Sequence, residues 1–165
     1  MPSSTELFRR YLNPVFIETG TWDGQGVRRA LAAGVETVYS VDISDDFKDE
    51  RARVARCPRV HLSQGDSPPW LAGILESLDR PATIWLDAHG ELCDETCPLE
   101  RELAVIRDCP HFVETVLIDD MRLMRERQSR IIDMLFAIDW PVWIGFADDG
   151  QALRDILVAT RRRPW

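Results

Sequence analysis

Val15-Phe16-Ile17-Glu18-Thr19-Gly20-Thr21-Trp22-Asp23-Gly24-Gln25-Gly26 is the stretch on which the fold turns. An apolar run closes on a carboxylate, three glycines follow within seven residues, and a helical pattern begins. That order is the signature of a strand, a tight turn and a helix N-terminus. In an open α/β sheet, the crevice outside the carboxyl end of such a strand gathers free N–H groups and positive dipole ends, so nucleotide-like ligands sit there. Asp42 closes the next apolar run, Tyr39-Ser40-Val41-Asp42, eighteen residues after Gly24. This is close to the roughly 20-residue interval at which such a site places an acid to accept from ribose hydroxyls. The spacing Gly20-x-x-x-Gly24-x-Gly26 is not the G-x-G-x-x-G of a dinucleotide site, so a pyrophosphate is not the expected guest.

Outward from that stretch, strand and helix patterns alternate. Ser3-x-x-Glu6 fits a capping box for a short helix within residues 1–13 that covers an edge of the site. Val27, Ala30, Leu31 and Ala33 make a helix that Gly34 ends, and Val38 to Ile43 is a second strand. Asp45 to Arg56 is a charged outer helix, and Val60 to Gln64 is a third strand. In Gly65-Asp66-Ser67-Pro68 the N-cap is expected at Ser67 and the proline at the first helical position. Ala82 to Leu86 is the fourth strand. Glu91 to Thr96 is a polar loop over the site, and Pro98 opens a helix through Leu99, Leu103 and Ile106. Val113 to Ile118 is the fifth strand, and a helix follows over Ser129 to Ile138.

Val142 to Phe146 and Ile156 to Thr160 are two last strands whose connection is too short for a right-handed helical crossover, so they pair antiparallel. The pattern predicts an α/β fold: a Rossmann-like, doubly wound, mostly parallel seven-stranded sheet with a C-terminal antiparallel pair. One domain spanning 1–165 accounts for the length.

A net charge of −8 gives phosphate-rich partners no bulk attraction, so nucleic acid is excluded as the expected partner. No apolar run reaches the roughly 18 residues of a membrane span, and no leader pattern is present, so a cytoplasmic protein with no membrane partner is expected. The four cysteines are too few for a secreted disulfide scaffold. His89, Cys93, Cys97, Cys109 and His111 lack the spacing of a zinc site, although Cys93 and Cys97 are close enough to form a labile disulfide. Trp22, Trp70 and Trp85 are candidates for the pocket wall or the core.

Glu18, Asp42, Asp87 and Asp119-Asp120 end strands or directly follow them, and Asp66 lies two residues beyond the third strand. Carboxylates converging on one edge repel, which a fold built only for stability has little reason to arrange. Glu18-x-Gly20-x-x-x-Gly24 resembles the first motif of class I S-adenosylmethionine-dependent methyltransferases, with Trp22 where that family often has its middle glycine. The five strand–helix units and the antiparallel pair extend the resemblance over nearly the whole chain. The cofactor-binding set it implies is Glu18, Gly20, Thr21, Gly24, Asp42, Ile43, Asp66, Ser67 and Asp87. Asp42 would accept from two ribose hydroxyls, and Asp66 from the adenine amino group.

Trp85-Leu86-Asp87-Ala88-His89 and Leu117-Ile118-Asp119-Asp120 further resemble the bacterial small-molecule and sugar O-methyltransferases that use a divalent metal. That resemblance implies Mg²⁺ or a similar cation on Asp87, Asp119 and Asp120. Asp87 and His89 are the candidate catalytic residues, His89 as general base for a hydroxyl if the strand end points it inward. The expected partners are a small-molecule acceptor and, because the pocket is small, a second copy of the chain. Two alternatives stand beside this reading. One is a metal-independent N- or O-methyltransferase, and the other is a non-catalytic cofactor-binding or partner module on the same fold.

Overall fold

The computed structural model describes residues 5–89, 96–148 and 153–162. The chain runs α1 (Thr5–Tyr11), β1 (Val15–Thr19), α2 (Gln25–Ala33), β2 (Thr37–Asp42), α3 (Lys48–Val54), β3 (Val60–Gln64), α4 (Ser67–Ser77) and β4 (Ala82–Leu86). It continues with α5 (Leu99–Asp108), β5 (Val113–Ile118), a short 3-10 helix (Met121–Met124), α6 (Gln128–Phe136), β6 (Trp143–Ala147) and β7 (Ile156–Thr160). Seven strands form one sheet in the order β3-β2-β1-β4-β5-β7-β6. The strands β1 to β5 are parallel, whereas β7 pairs antiparallel with both β5 and β6, as the short final connection requires. The loop expected over Glu91 to Thr96 lies outside the described residues except for Thr96, and so does Ser3 of the capping box.

β1 and β4 are buried at every position, which is why they read as unbroken apolar runs. Alternate residues serve two cores. Val15 and Ile17 of β1, Ile84 and Leu86 of β4, and Val116 and Ile118 of β5 pack with residues of α4, α5 and α6. Phe16, Trp85 and Leu117 point the other way, toward residues of α1, α2 and α3. Because side chains alternate with period two, Glu18 and Ser40 share the Trp85 face, opposite one another in register with it. Asp42, Asp87 and Asp119 continue the same parity past the strand ends. The acids therefore converge on one side of one sheet edge, under α1, for a reason already present in the strand periodicity.

The boundaries of β2, α3, α6 and β6 shift by one to three residues from the sequence expectation, and the start of α4 shifts for a specific reason. Asp66 is the N-cap of α4 and Ser67 is already helical, because the Ser67 hydroxyl is buried against α5 instead of facing the helix end.

Candidate functional site

The turn after β1 is a backbone cradle. Gly20 and Gly24 both hold positive φ, 87° and 79°. A Cβ on Gly20 would lie 2.3 Å from the Asp87 carbonyl oxygen, and one on Gly26 would lie 1.7 Å from Glu18 Oε1. No side chain fits at either place. Trp22 takes φ 45°, so the loop follows a glycine-like path with a bulky residue on it. Beside the turn is a small cleft, partly open to solvent, whose walls include Phe8 of α1, Glu18, Gly20, Trp22, Trp85 and Asp87.

Glu18 is fully buried at the floor of this cleft. Ser40 Oγ donates to Glu18 Oε2 at 2.6 Å and shares a second 2.6 Å bond with Thr21 Oγ1. Burial pushes the Glu18 carboxyl up to about 8, the Ser40 bond pulling the other way. Thr21 is thus placed beside Glu18, and its hydroxyl is tied inward to Ser40.

Asp42 stands across the turn. Its Oδ2 accepts from the Trp22 N–H at 2.7 Å and its Oδ1 from the Ser44 N–H at 2.9 Å. Arg51 of α3 pairs with Oδ2 at 3.0 Å. Ile43 projects into solvent next to Asp42, and the exposed rings of Trp22 and Phe47 meet edge to face at 5.5 Å on the same rim.

On the α4 side, Asp66 is half-exposed and ion-paired with Arg101 at 3.0 Å. Ser67 donates to Glu102 Oε1 at 2.5 Å. Glu102, which sequence reading did not single out, is fully buried, and burial pushes its carboxyl up to about 7. Its one sequence signal is an acid in the Leu99–Ile106 helix, three positions after Leu99 and one before Leu103, on the stripe that packs inward.

The acidic edge after β4 and β5 is divided. A ligand atom from each of Asp87, His89 and Asp120 lies within 4.8 Å of the others, and Asp119, Asp120 and Asp155 form a second such group. Among the described residues, the expected trio Asp87, Asp119 and Asp120 does not occur as one group at that separation. Burial first, then the charges of Asp119, Asp120 and Glu18, hold the Asp87 carboxyl well above the usual carboxylate range. The second group contains its own cation: Arg122 pairs with Asp120 Oδ1 at 2.6 Å, donates its N–H to Asp155 Oδ1 at 2.9 Å and bonds Asp155 Oδ2 through Nη1. Asp155, the buried acid just before β7, was not legible as a site residue.

His89 is buried, with Nε2 3.0 Å from the Asp119 carbonyl. A carbonyl only accepts, so Nε2 carries the hydrogen and Nδ1 holds the lone pair. Burial lowers the ring's pKa, which keeps it neutral near pH 7. Cys97 is disulfide-bonded, Cys57 and Cys109 are free, and Cys93 lies outside the described residues. Among the described residues no helix is long and apolar enough to cross a membrane.

No family model and no curated protein sequence matches the chain. Solved structures do. The chain is similar to an O-methyltransferase from Bacillus cereus at 14% identity and TM-score 0.66, over 94% of this chain and 78% of that one. A ribosomal protein L11 methylase from Lactobacillus delbrueckii subsp. bulgaricus matches at 17% identity and TM-score 0.57, over 96% and 77%. A spermidine synthase from Thermotoga maritima matches at 15% identity and TM-score 0.64, over 99% of this chain and 60% of that one. The strand order, the antiparallel last pair and these matches agree: the chain has the class I methyltransferase fold.

Proposed function

We propose that the protein transfers a methyl group from S-adenosylmethionine to an oxygen of a small molecule, sugars being one acceptor class, with a divalent cation assisting. The observation that carries this reading is the cradle at Gly20 and Gly26, where no Cβ fits, set between Asp42 on one side and Asp87 on the other. The Bacillus cereus O-methyltransferase was solved in complex with SAH, which supports the same guest for this cleft. A net charge of −8 favours a small acceptor over the RNA acceptors of other proteins with this fold.

In this reading Glu18, Gly20, Thr21 and Gly24 serve the methionine end, and Asp42 with Ile43 serves the ribose. Asp66, which shares its carboxylate with Arg101, and the backbone of Ser67 serve the adenine. The methyl carbon passes from sulfur to the acceptor oxygen, the C–S electron pair stays on sulfur as a thioether, and the hydroxyl proton leaves. Asp87 and His89 Nδ1 are the two acceptors of that proton at the β4 edge. Alignment of the acceptor with the methyl supplies most of the acceleration, as positioning does when it replaces a bimolecular encounter. Of the acids expected to hold a cation, Asp87 and Asp120 stand close enough to share one and Asp119 belongs to the neighbouring group; a bound cation would lower the acceptor hydroxyl's pKa.

The test is turnover of S-adenosylmethionine across alcohols, phenols, sugars and amines, read as S-adenosylhomocysteine formed, with and without EDTA. Metal-dependent O-methylation is expected. Turnover that survives EDTA would favour a metal-independent enzyme, and no turnover at all would favour a cofactor-binding module.

A further inference from the structure

We propose that Asp87, His89 and Asp120 form a mixed nitrogen–oxygen site for a first-row transition-metal dication, with His89 binding through Nδ1. The inference deepens the reading of this edge as the acceptor side of a transferase. It changes both the ligand set and the metal class that the sequence suggested.

Three observations carry it. First, the three residues bring one ligand atom each within 4.8 Å of the others. Donors about 2.0–2.2 Å from a common metal stand about 3–4 Å apart, so only a small contraction is needed. Second, His89 Nδ1 is buried and has no hydrogen-bond partner among the described residues. A buried polar atom left so is costly, and an imidazole lone pair facing two carboxylates, which bring no donor when ionised, suits a cation shared with them. The Nε2–H bond to the Asp119 carbonyl supplies what ligating histidines usually have on their other nitrogen, a backbone carbonyl that fixes tautomer and ring orientation.

Third, the neighbouring group of Asp119, Asp120 and Asp155 already holds the guanidinium of Arg122, which neutralises it without a metal. Asp120 belongs to both groups and meets Arg122 through Oδ1, but Arg122 also takes both oxygens of Asp155, so of the two groups the one with the histidine has the smaller share of the guanidinium. Imidazole suits the transition metals, whereas Mg²⁺ and Ca²⁺ favour all-oxygen shells. Engaging Nδ1 with a cation removes His89 from the candidate acceptors of the hydroxyl proton.

Pulsed EPR on the full chain loaded with Mn²⁺, without cofactor, reads the nitrogen directly. The wild type should show ¹⁴N coupling from one imidazole, His89→Gln should lose it, and Asp120→Asn should weaken Mn²⁺ binding. Thermal melts should rise more with Co²⁺ than with Mg²⁺ or Ca²⁺ at equal concentration. Mn²⁺ bound with no nitrogen coupling, coupling that survives His89→Gln, or no binding at millimolar Mn²⁺ would each overturn the proposal. If His89→Gln does not fold, the wild-type spectrum together with Asp120→Asn still decides. Calorimetry with S-adenosylhomocysteine on the same samples separates the two readings. Cofactor binding without nitrogen coupling removes this inference alone, and coupling without cofactor binding removes the transferase reading alone.

Discussion

Nη2 of Arg51 lies 3.0 Å from Oδ2 of Asp42, and the same guanidinium donates through Nε to the Trp22 carbonyl at 2.7 Å and through Nη1 to the Ser44 carbonyl at 2.6 Å. The acid expected to hold a ribose is therefore fixed before any ligand arrives. A carboxylate offers about four lone-pair sites. The Trp22 and Ser44 N–H groups take two of them, one on each oxygen, and Arg51 adds an ion pair at Oδ2, so Asp42 keeps acceptor capacity for ribose hydroxyls.

Asp42→Ala should weaken S-adenosylhomocysteine binding by about 1.5–3 kcal/mol, the worth of a hydrogen bond to a charged group. The variant should also melt lower, because Arg51 loses its partner in a mostly buried setting. Calorimetry and a thermal melt on one preparation check both, and unchanged affinity removes the ribose role.

Gly20→Ala and Gly34→Ala make a matched pair. Both glycines hold positive φ, but a Cβ on Gly34 meets nothing within 4 Å, whereas one on Gly20 meets the Asp87 backbone at 2.3 Å. Gly34→Ala should cost only the backbone strain, about 1–2 kcal/mol. Gly20→Ala should cost about 1–3 kcal/mol more through overpacking. Urea melts of the two variants compare them, and equal losses would mean that the cradle has space the structure does not show.

These glycines and the strand-end acids were legible because both follow from local rules. β1 and β4, covered on both faces, read as apolar runs, and period two sent Glu18, Asp42, Asp87 and Asp119 to one side. What was not legible depends on partners distant in the chain. Ser67 is helical and not a cap because Glu102, 35 residues on, takes its hydroxyl. Arg122 and Asp155, 33 residues apart, divide the expected metal trio between two groups. Trp22 carries no sequence mark of its positive φ, since tryptophan rarely adopts one. The cradle alone forces it.

Glu102 gives a pH dependence whose sign is fixed. Burial raises its carboxyl from an ordinary 4.5 to about 7. The folded chain keeps a proton that the unfolded chain releases above pH 4.5. The stability from this group is therefore full below that pH and is lost as pH rises through about 7. Glu102→Gln should remove that slope, worth about 3 kcal/mol between pH 4.5 and 8. Denaturant melts of wild type and variant at pH 4.5, 6 and 8 measure it. Parallel stability curves would mean that Glu102 ionises as it does in the unfolded chain.

The most direct test of the account is calorimetry of the purified chain with S-adenosylmethionine, S-adenosylhomocysteine and NAD in parallel. The cleft after β1, with its glycine turn and the Asp42 carboxylate beside it, predicts that both sulfur compounds bind and NAD does not. Binding of NAD alone, or of none of the three, would contradict it.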